Sequence, residues 1–323
     1  MRPPRSKDFD GLGRGHLAEV VWNILRRADP PLEPNAIAFN PSPYASSHFL
    51  IDVAVSTSGE LLHLVMKDIQ SPSPQARLAR PNTPRIESRE ADVYTTMLPE
   101  ITGPPRFFGA HRLKGHHWLL LERVRGRELT KVGEQRIWDM AARWLGHLHT
   151  SGATSPKSGV VRDEAYLDQA LARARKGIEA APGAYRLNRV TEGWARIVEL
   201  LLTIPASVMH GDAFPANVLV GEANRVCFVD WELAGFGPGL IDLAALTAGK
   251  WSDVERLRMV ASYAQGLTDS GTVNTTGLIE HLLVCRILLA VEMMGALRDW
   301  QPPSHQVWDW PRELGSLLDQ FGL

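Results

Sequence analysis

Hydrophobic residues in the first part of the chain recur at two different spacings. Between residues 17 and 27 they fall three or four positions apart, which is typical of a helix with one buried face. Residues 49–55 and 61–67 are short apolar runs joined by a turn that contains Gly59, and this arrangement predicts a β-hairpin. Further predicted elements are a strand at 37–39, a helix at 86–97 and a strand pair at 107–112 and 117–122.

Beyond Gly126 the helical spacing dominates. Predicted helices cover 136–149, 163–180, 190–202, 241–247, 253–265 and 278–297. Only 218–220 and 226–229 have the character of strands, and the proline-rich run 71–84 is predicted to be a loop. We therefore predict an α+β protein with a sheet-rich N-terminal domain, residues 1–122, and a larger, mostly helical C-terminal domain, residues 123–323.

Composition narrows the class of protein. The 323 residues carry a formal net charge of −1, which argues against nucleic acid or an anionic membrane as the main partner. Cys227 and Cys285 are too few and too far apart for a zinc site or a disulfide framework, and are expected to be buried thiols. We expect a cytoplasmic protein, because no signal peptide and no apolar run long enough to cross a bilayer are visible.

Three polar residues that handle metals and protons stand close together in the second half of the chain. Four residues separate Asp212 from Asn217, and Asp230 follows the apolar run 226–229. In kinase chemistry a first Asp accepts the proton of the hydroxyl, while an Asn and a second Asp hold Mg²⁺. The alternative is a turn in which the Asp and Asn side chains cap helices.

With this motif and the two-part layout, the chain resembles the aminoglycoside phosphotransferase and choline kinase family. These are small-molecule kinases with a two-lobed, protein-kinase-like fold. The resemblance extends from about Ser42 to Leu246 and is strongest at 210–217 and 230–232. It implies that Asp212 is the catalytic base, and that the oxygens of Asn217 and Asp230 bind Mg²⁺.

The same resemblance points to a nucleotide site in the N-terminal lobe. Lys67 ends the apolar run 61–66 and matches the phosphate-binding lysine of the family. Its partner would be a glutamate on the next helix, where Glu90 is favoured over Glu87. ATP, with GTP as a second option, is therefore the expected co-substrate together with Mg²⁺.

Two further nucleotide contacts are predicted with less support from the sequence. No glycine-rich motif precedes Lys67, so the phosphate-covering loop would be residues 42–48, with Ser46 and Ser47 as donors. Residues 119–122, ending at Glu122, resemble the connector between lobes. Their backbone groups would bind the edge of adenine, which leaves the choice of nucleotide open.

Other motif residues are expected to support the site. His210 is predicted to brace the catalytic loop through hydrogen bonds, and Asp242 resembles a second bracing group. Glu232 would support the metal site or contact the following loop. Trp231 stands where members of the family commonly have Phe, so a large apolar side chain is kept.

The acceptor is the least determined part of the prediction. Trp300, Trp308 and Trp310, with Glu292 and Asp299 close in sequence, could line a site for a cationic or glycosidic acceptor. Packing of the C-terminal helix is the favoured role for these tryptophans. His147 and His149 are not expected to form a metal site, because residues two apart on a helix face different directions.

Two functions from different classes remain. The favoured one is a Mg²⁺- and ATP-dependent kinase that phosphorylates a hydroxyl of a small molecule, such as an aminoglycoside, a sugar-bearing natural product or an amino alcohol. The alternative is a catalytically silent kinase-like domain that binds nucleotide or a partner. A protein kinase is disfavoured, because Gly211 replaces the arginine of its catalytic loop. The oligomeric state is left open.

Overall fold

A five-stranded antiparallel sheet forms the N-terminal lobe. The computed structural model describes residues 13–42, 48–70, 89–99, 101–153, 159–178, 184–267, 275–297 and 308–323. The sheet has the order β1-β2-β3-β5-β4. Its strands are β1 (Ala36–Pro41), β2 (Phe49–Ser56), β3 (Leu61–Asp68), β4 (Phe107–Leu113) and β5 (His116–Glu122). The five strands predicted for this lobe are confirmed, including the hairpin in which β2 pairs with β3.

Several predictions concern residues that the structure does not describe. These residues are Ser46, Ser47, Glu87, 71–84, Asp299 and Trp300. The boundary between the domains at residue 122 stays a prediction.

Strand β5 separates two hydrophobic cores because its side chains alternate between the faces of the sheet. Trp118 and Leu120 pack with the first helix, α1 (Arg14–Leu25). Leu119 and Leu121 point to the other face, where they join a core that continues into the helical lobe. The sheet is therefore covered on both faces, and its second face packs against the helical lobe.

The helix between β3 and β4 carries Glu90. It is α2 (Arg89–Asp92), and it continues directly into a π-helical turn, Val93–Met97. Tyr94 and Met97 of this turn are buried in the core that contains Leu119. Such packing fixes α2 against the sheet and holds Glu90 next to β3.

Helices make up most of the C-terminal lobe, as predicted. They are α3 (Gln135–Thr150), α4 (Glu164–Ile178), α5 (Ala184–Thr203), α6 (Leu240–Leu246), α7 (Asp253–Leu267), α8 (Thr275–Leu297) and α9 (Trp310–Phe321). Helix α8 is apolar on nearly every side and is central to the lobe, where α4, α6 and α9 pack against it. None of the described helices combines the length and apolar character needed to cross a membrane.

The prediction that only two strands follow Gly126 is wrong. Strands β9 (Val218–Gly221) and β10 (Val226–Phe228) match it, but β6 (Gly126–Glu128), β7 (Val160–Val161), β8 (Ala206–Met209) and β11 (Gly235–Pro238) are also present. They form the small sheets β10-β9-β6 and β7-β11-β8. These strands span two to four residues or contain Gly and Pro, so no hydrophobic period reveals them.

A glycine allows the second of these sheets to form. A Cβ atom at Gly235 would lie 1.9 Å from the carbonyl oxygen of Val160 on β7. Only a residue without a side chain permits that approach. The sheet β7-β11-β8 in turn ends beside the loop that carries Asp212.

Candidate active site

The loop between β8 and β9 brings Asp212 and Asn217 into contact. The side-chain amide of Asn217 donates hydrogen bonds to the backbone carbonyl and to the Oδ2 carboxylate oxygen of Asp212, both at 2.9 Å. Asn217 thus makes the kind of turn hydrogen bond that a purely structural asparagine would make. The bond uses only its NH₂ group, so its amide oxygen is the atom that suits a metal ion.

Asp230 lies at the end of β10 in an uncommon backbone conformation. Its φ and ψ are 66° and 65°, a left-handed geometry that costs a residue other than glycine of order 1–3 kcal/mol. The amide of Val229 donates to the carbonyl of Asn217 at 2.9 Å, which holds the two predicted metal ligands together. The Asp230 side chain makes no capping hydrogen bond to the short helix Trp231–Leu233 that follows it.

Lys67 connects the two lobes at this point. Its Nζ lies 2.6 Å from Oε2 of Glu90 and 2.5 Å from Oδ1 of Asp230. The predicted pairing of Lys67 with Glu90 is therefore present. The contact to Asp230 joins the strand β3 to the turn after β10, so residues from three distant parts of the sequence form one cluster.

Burial controls the charges in this cluster. Burial lowers the pKa of Lys67, but Asp230 and Glu90 raise it by more, so the ammonium form is favoured. Burial raises the pKa of Glu90, and the nearby lysine only partly opposes that rise. The side chain of Asp230 is 22% exposed, compared with 2% for Glu90, so Asp230 is the carboxylate that faces the cleft.

Asp242 is buried beside the start of the loop that carries Asp212, and it makes three hydrogen bonds. It accepts from the backbone amides of His210 and Gly211 at 2.7 and 2.8 Å and lies 3.2 Å from Nε2 of His149. Burial raises the pKa of Asp242, yet these donors lower it by more, so the net shift is downward. The predicted bracing geometry of Asp242 is thus present, and we call Asp242, His210, Gly211 and His149 the loop brace.

His210 joins the brace to the active-site turn. Its Nε2 lies 3.0 Å from the carbonyl oxygen of Val229, and its Nδ1 accepts from the backbone amide of Asp212 at 3.2 Å. This pattern requires a neutral ring with its proton on Nε2. Burial lowers the pKa of His210, which favours the same form. His210 therefore braces the loop, as its place in the motif predicted.

Glu232 reaches back to the N-terminal lobe. One of its carboxylate oxygens lies 3.5 Å from Nδ1 of His48 at the start of β2, and its backbone carbonyl accepts from Arg89 at 3.4 Å. Ligand atoms of His48, Asp230 and Glu232 all lie within 4.8 Å of one another. The sequence placed His48 in the phosphate-covering loop, but nothing in its spacing indicated that it would meet Glu232.

The Glu122 side chain is engaged away from the Lys67 cluster. It forms an ion pair with Arg225 in the turn between β9 and β10 and accepts from the amide of Arg106 at 3.0 Å. The backbone amide of Glu122 donates to Arg106, and that of Arg123 donates to His63. An adenine edge would thus have to bind other main-chain groups of the connector, and a nucleotide contact by Glu122 stays a prediction.

The described tryptophans near the C-terminus pack the last helix. Trp310 is 5% exposed and belongs to the large core, and Trp308 packs against that core. The favoured packing role is therefore confirmed for these two residues. Trp231 is fully buried and packs against His210 with 4.5 Å between ring centres and an angle of 55° between the rings, so it is the large apolar side chain that its place in the motif implied.

A cavity with a free volume of about 120 Å³ opens beside Asp212. Its wall comes from α4, α6, α8 and the loop that carries Asp212. The polar and aromatic side chains that line it are Arg162, Tyr166, Gln169, Arg173, Asp212, Phe214, Asp242 and Glu292. The sequence indicated Glu292 as a residue near the acceptor but did not indicate Arg162, which lies between β7 and α4 and belongs to no motif.

The donor set suits Mg²⁺ and a nucleotide. The amide oxygen of Asn217 and the carboxylate of Asp230 are the hard ligands that Mg²⁺ prefers, and Lys67 offers a cation for phosphate oxygens. Glu90 holds that lysine in place from the buried side of the cleft. The residues thus match the groups that phosphoryl transfer requires.

Comparison with known proteins agrees with this geometry. A model of the family described as "Phosphotransferase enzyme family" matches residues 73–275, which is more than half of the chain. The chain belongs to the phosphotransferase enzyme family. The match includes Glu90, Asp212, Asn217 and Asp230, while Lys67 lies just before it.

Individual relatives are more distant. A LicA homologue from Mycoplasma capricolum is 26% identical over 117 residues, which are 35% of this chain and 44% of that protein. The chain therefore matches less than half the length of this curated relative.

Two solved structures extend the likeness to nearly the whole chain. The choline kinase LicA from Streptococcus pneumoniae has a TM-score of 0.58 at 14% identity, covering 94% of this chain and 98% of its own. A structure of LicA in complex with AMP has a TM-score of 0.59 at 13% identity, covering 90% and 95%. At these identities the likeness establishes the fold alone, and that fold is the predicted two-lobed, kinase-like one.

Proposed function

We propose that this protein transfers the γ-phosphoryl group of ATP, or of GTP, to a hydroxyl group of a small molecule in the presence of Mg²⁺. The single observation that carries the proposal is the joining of Lys67, Glu90 and Asp230 into one cluster beside Asp212 and Asn217. Residues from both lobes meet there, and each has a role in phosphoryl transfer. The AMP complex of a protein with the same fold supports a nucleotide co-substrate.

The chemistry follows from the positions of these side chains. Asp212 would orient the acceptor hydroxyl, whose oxygen forms a bond to the γ-phosphorus as the bond to the β–γ bridging oxygen breaks. The hydroxyl proton passes to the Asp212 carboxylate, and ADP leaves. Lys67, positioned by Glu90, would bind phosphate oxygens. When bound by Asn217 and Asp230, Mg²⁺ would neutralise charge on the phosphates.

An open cavity beside the base supports a small acceptor. Its free volume is about 120 Å³, and Asp212 is part of its wall. A cavity of this kind suits one small molecule better than an extended polypeptide. Replacement of the protein-kinase arginine by Gly211 agrees with that choice.

The test is an acceptor screen that follows ADP or GDP release with Mg²⁺ and either ATP or GTP. The panel should contain amino alcohols, sugars, aminoglycosides and hydroxy acids. Release that depends on one class of acceptor is the expected result. Tight nucleotide binding without release for any acceptor would instead support a silent kinase-like domain.

A further inference from the structure

The acceptor cavity contains a buried arginine that lacks a full set of partners. Arg162 precedes α4, is 5% exposed and lines the cavity. Its Nη2 donates to the carbonyl oxygen of Gly211 at 3.0 Å, directly before the base. Its Nε and Nη1 make no hydrogen bond with any of the described residues. A buried guanidinium normally pairs its N–H groups, so this arrangement points to a missing partner.

The surroundings of Arg162 favour its charged form. Burial lowers the pKa of Arg162, but Tyr166, Glu292 and Asp242 raise it by more. Its guanidinium carbon also lies 5.4 Å from the centre of the Tyr166 ring. Arg162 is thus held as a charged group on the wall that an acceptor must contact.

The two carboxylates of the same wall other than Asp212 are already engaged. Asp242 accepts from two backbone amides and His149 in the loop brace. Glu292 accepts from the hydroxyl of Tyr166 at 2.8 Å. Burial raises the pKa of Glu292, while Arg162, Tyr166 and Arg173 only partly oppose that rise. Glu292 already accepts the hydrogen bond from Tyr166 and lies near two arginines that line the same cavity, so it is a poor site for a cationic acceptor.

We propose that the acceptor is a small hydroxy acid whose carboxylate binds Arg162, with its hydroxyl placed at Asp212. A guanidinium matches the planar geometry of a carboxylate and can donate two parallel hydrogen bonds. Because Arg162 contacts the carbonyl of Gly211, the carboxylate and the reacting hydroxyl must be only a few atoms apart. The proposal deepens the kinase function and rests on it.

The first experiment compares matched pairs of compounds on the wild-type protein. Binding of glycerate and gluconate is measured by calorimetry against glycerol and glucose, with Mg²⁺ and a non-hydrolysable ATP analogue present. Choline serves as the cationic comparison. The expected result is that at least one carboxylate binds about 100-fold more tightly than its neutral partner, the scale for losing one side of a buried ion pair.

The second experiment removes the proposed partner. Arg162→Gln is expected to reduce the preference for the carboxylate to near unity, and Arg162→Lys to restore part of it. Arg136→Gln is the matched control, since Arg136 is 64% exposed on α3. Thermal melting establishes that each variant is folded, and nucleotide affinity should be unchanged in all of them.

Three results separate this inference from the kinase function. If neither carboxylate binds the wild-type protein more tightly than its neutral partner, or if choline binds best, the inference is wrong. A preference for carboxylate that survives in folded Arg162→Gln also overturns it. If the carboxylate binds through Arg162 but no ADP is released from ATP, the inference stands and the proposed kinase function fails.

Discussion

Two buried carboxylates of the candidate site, Asp242 and Glu90, have opposite pKa shifts. Asp242 and Glu90 are 1% and 2% exposed, so their desolvation is similar. Asp242 accepts from two backbone amides and a histidine, and its pKa is lowered. Glu90 shares one lysine with Asp230, a second carboxylate, and its pKa is raised. Hydrogen-bond donors, and not burial, decide the difference.

The loop brace and the Lys67–Glu90–Asp230 cluster differ in whether the protein itself supplies all the partners of the charged groups. In the loop brace, the carboxylate of Asp242 finds its hydrogen-bond donors within the protein. The brace therefore holds the backbone before Asp212 without a ligand. The Lys67–Glu90–Asp230 cluster gathers one cation and two carboxylates that phosphates and Mg²⁺ would complete. Substitutions in the brace should therefore affect folding first, and substitutions in the cluster should affect activity first.

The largest expected effect is on activity, in the cluster. Asp230→Asn should lower turnover by about 10³-fold, the scale for losing one group that stabilises the transition state. Its thermal melting temperature should change little, because the side chain is 22% exposed. Steady-state kinetics and melting curves measure the two effects, with the 72%-exposed Asp319→Asn as control. Equal turnover in the two variants would show that Asp230 has no role in the active site.

In the brace, Gly211→Ala should lower the free energy of unfolding by roughly 2–4 kcal/mol, through backbone strain and a close contact. Gly211 has a φ of +80°, and its Cβ would lie 2.1 Å from the carbonyl oxygen of Leu233. Gly59→Ala is a matched control, because nothing lies within 4 Å of its Cβ. Urea unfolding measures both variants, and equal stability would mean that the loop adjusts freely.

A direct comparison of the two carboxylates uses amide substitutions. Asp242→Asn should lower the free energy of unfolding by about 1–3 kcal/mol, since it leaves a buried donor unsatisfied. Glu90→Gln should change it by less than about 1 kcal/mol, because Asp230 still pairs with Lys67. Denaturant unfolding in the absence of nucleotide measures the stability of both variants. The account fails if Glu90→Gln proves the more destabilising of the two.

The smallest expected effect is a pH dependence of stability from His210. The pKa of this histidine is lowered in the folded protein. Below a pH of about 6.5 the unfolded chain binds a proton that the folded one does not, so stability falls as the pH falls. His210→Gln should reduce that slope by up to about 1.4 kcal/mol per pH unit. A slope identical to the wild type would show that folding does not lower the pKa of His210.

The fold was predictable where long elements have a clear period. Strands such as 61–67 and helices such as 136–149 were found because many alternating or helical positions agree. Strands β7 and β11 were missed, because two residues or a Gly-Phe-Gly-Pro segment carry no period. Their pairing depends on the close approach of Gly235 to Val160, which is a tertiary contact.

The candidate site was predictable where a motif is local in sequence. Asp212, Asn217 and Asp230 lie within one stretch of chain, and Lys67 was found through the same resemblance. The contact of His48 with Glu232 and the place of Arg162 against Gly211 were not visible. Each joins residues far apart in the sequence, so only the folded chain brings them together.

The central claim is that Asp212 accepts the proton of an acceptor hydroxyl during phosphoryl transfer. The most direct measurement is single-turnover transfer of labelled γ-phosphate from ATP to an acceptor found in the screen, in wild type, Asp212→Asn and the exposed control Asp253→Asn. The account predicts a rate about 10²–10⁴-fold lower for Asp212→Asn, unchanged ATP affinity and a wild-type rate for the control. A wild-type rate of transfer by Asp212→Asn would contradict it.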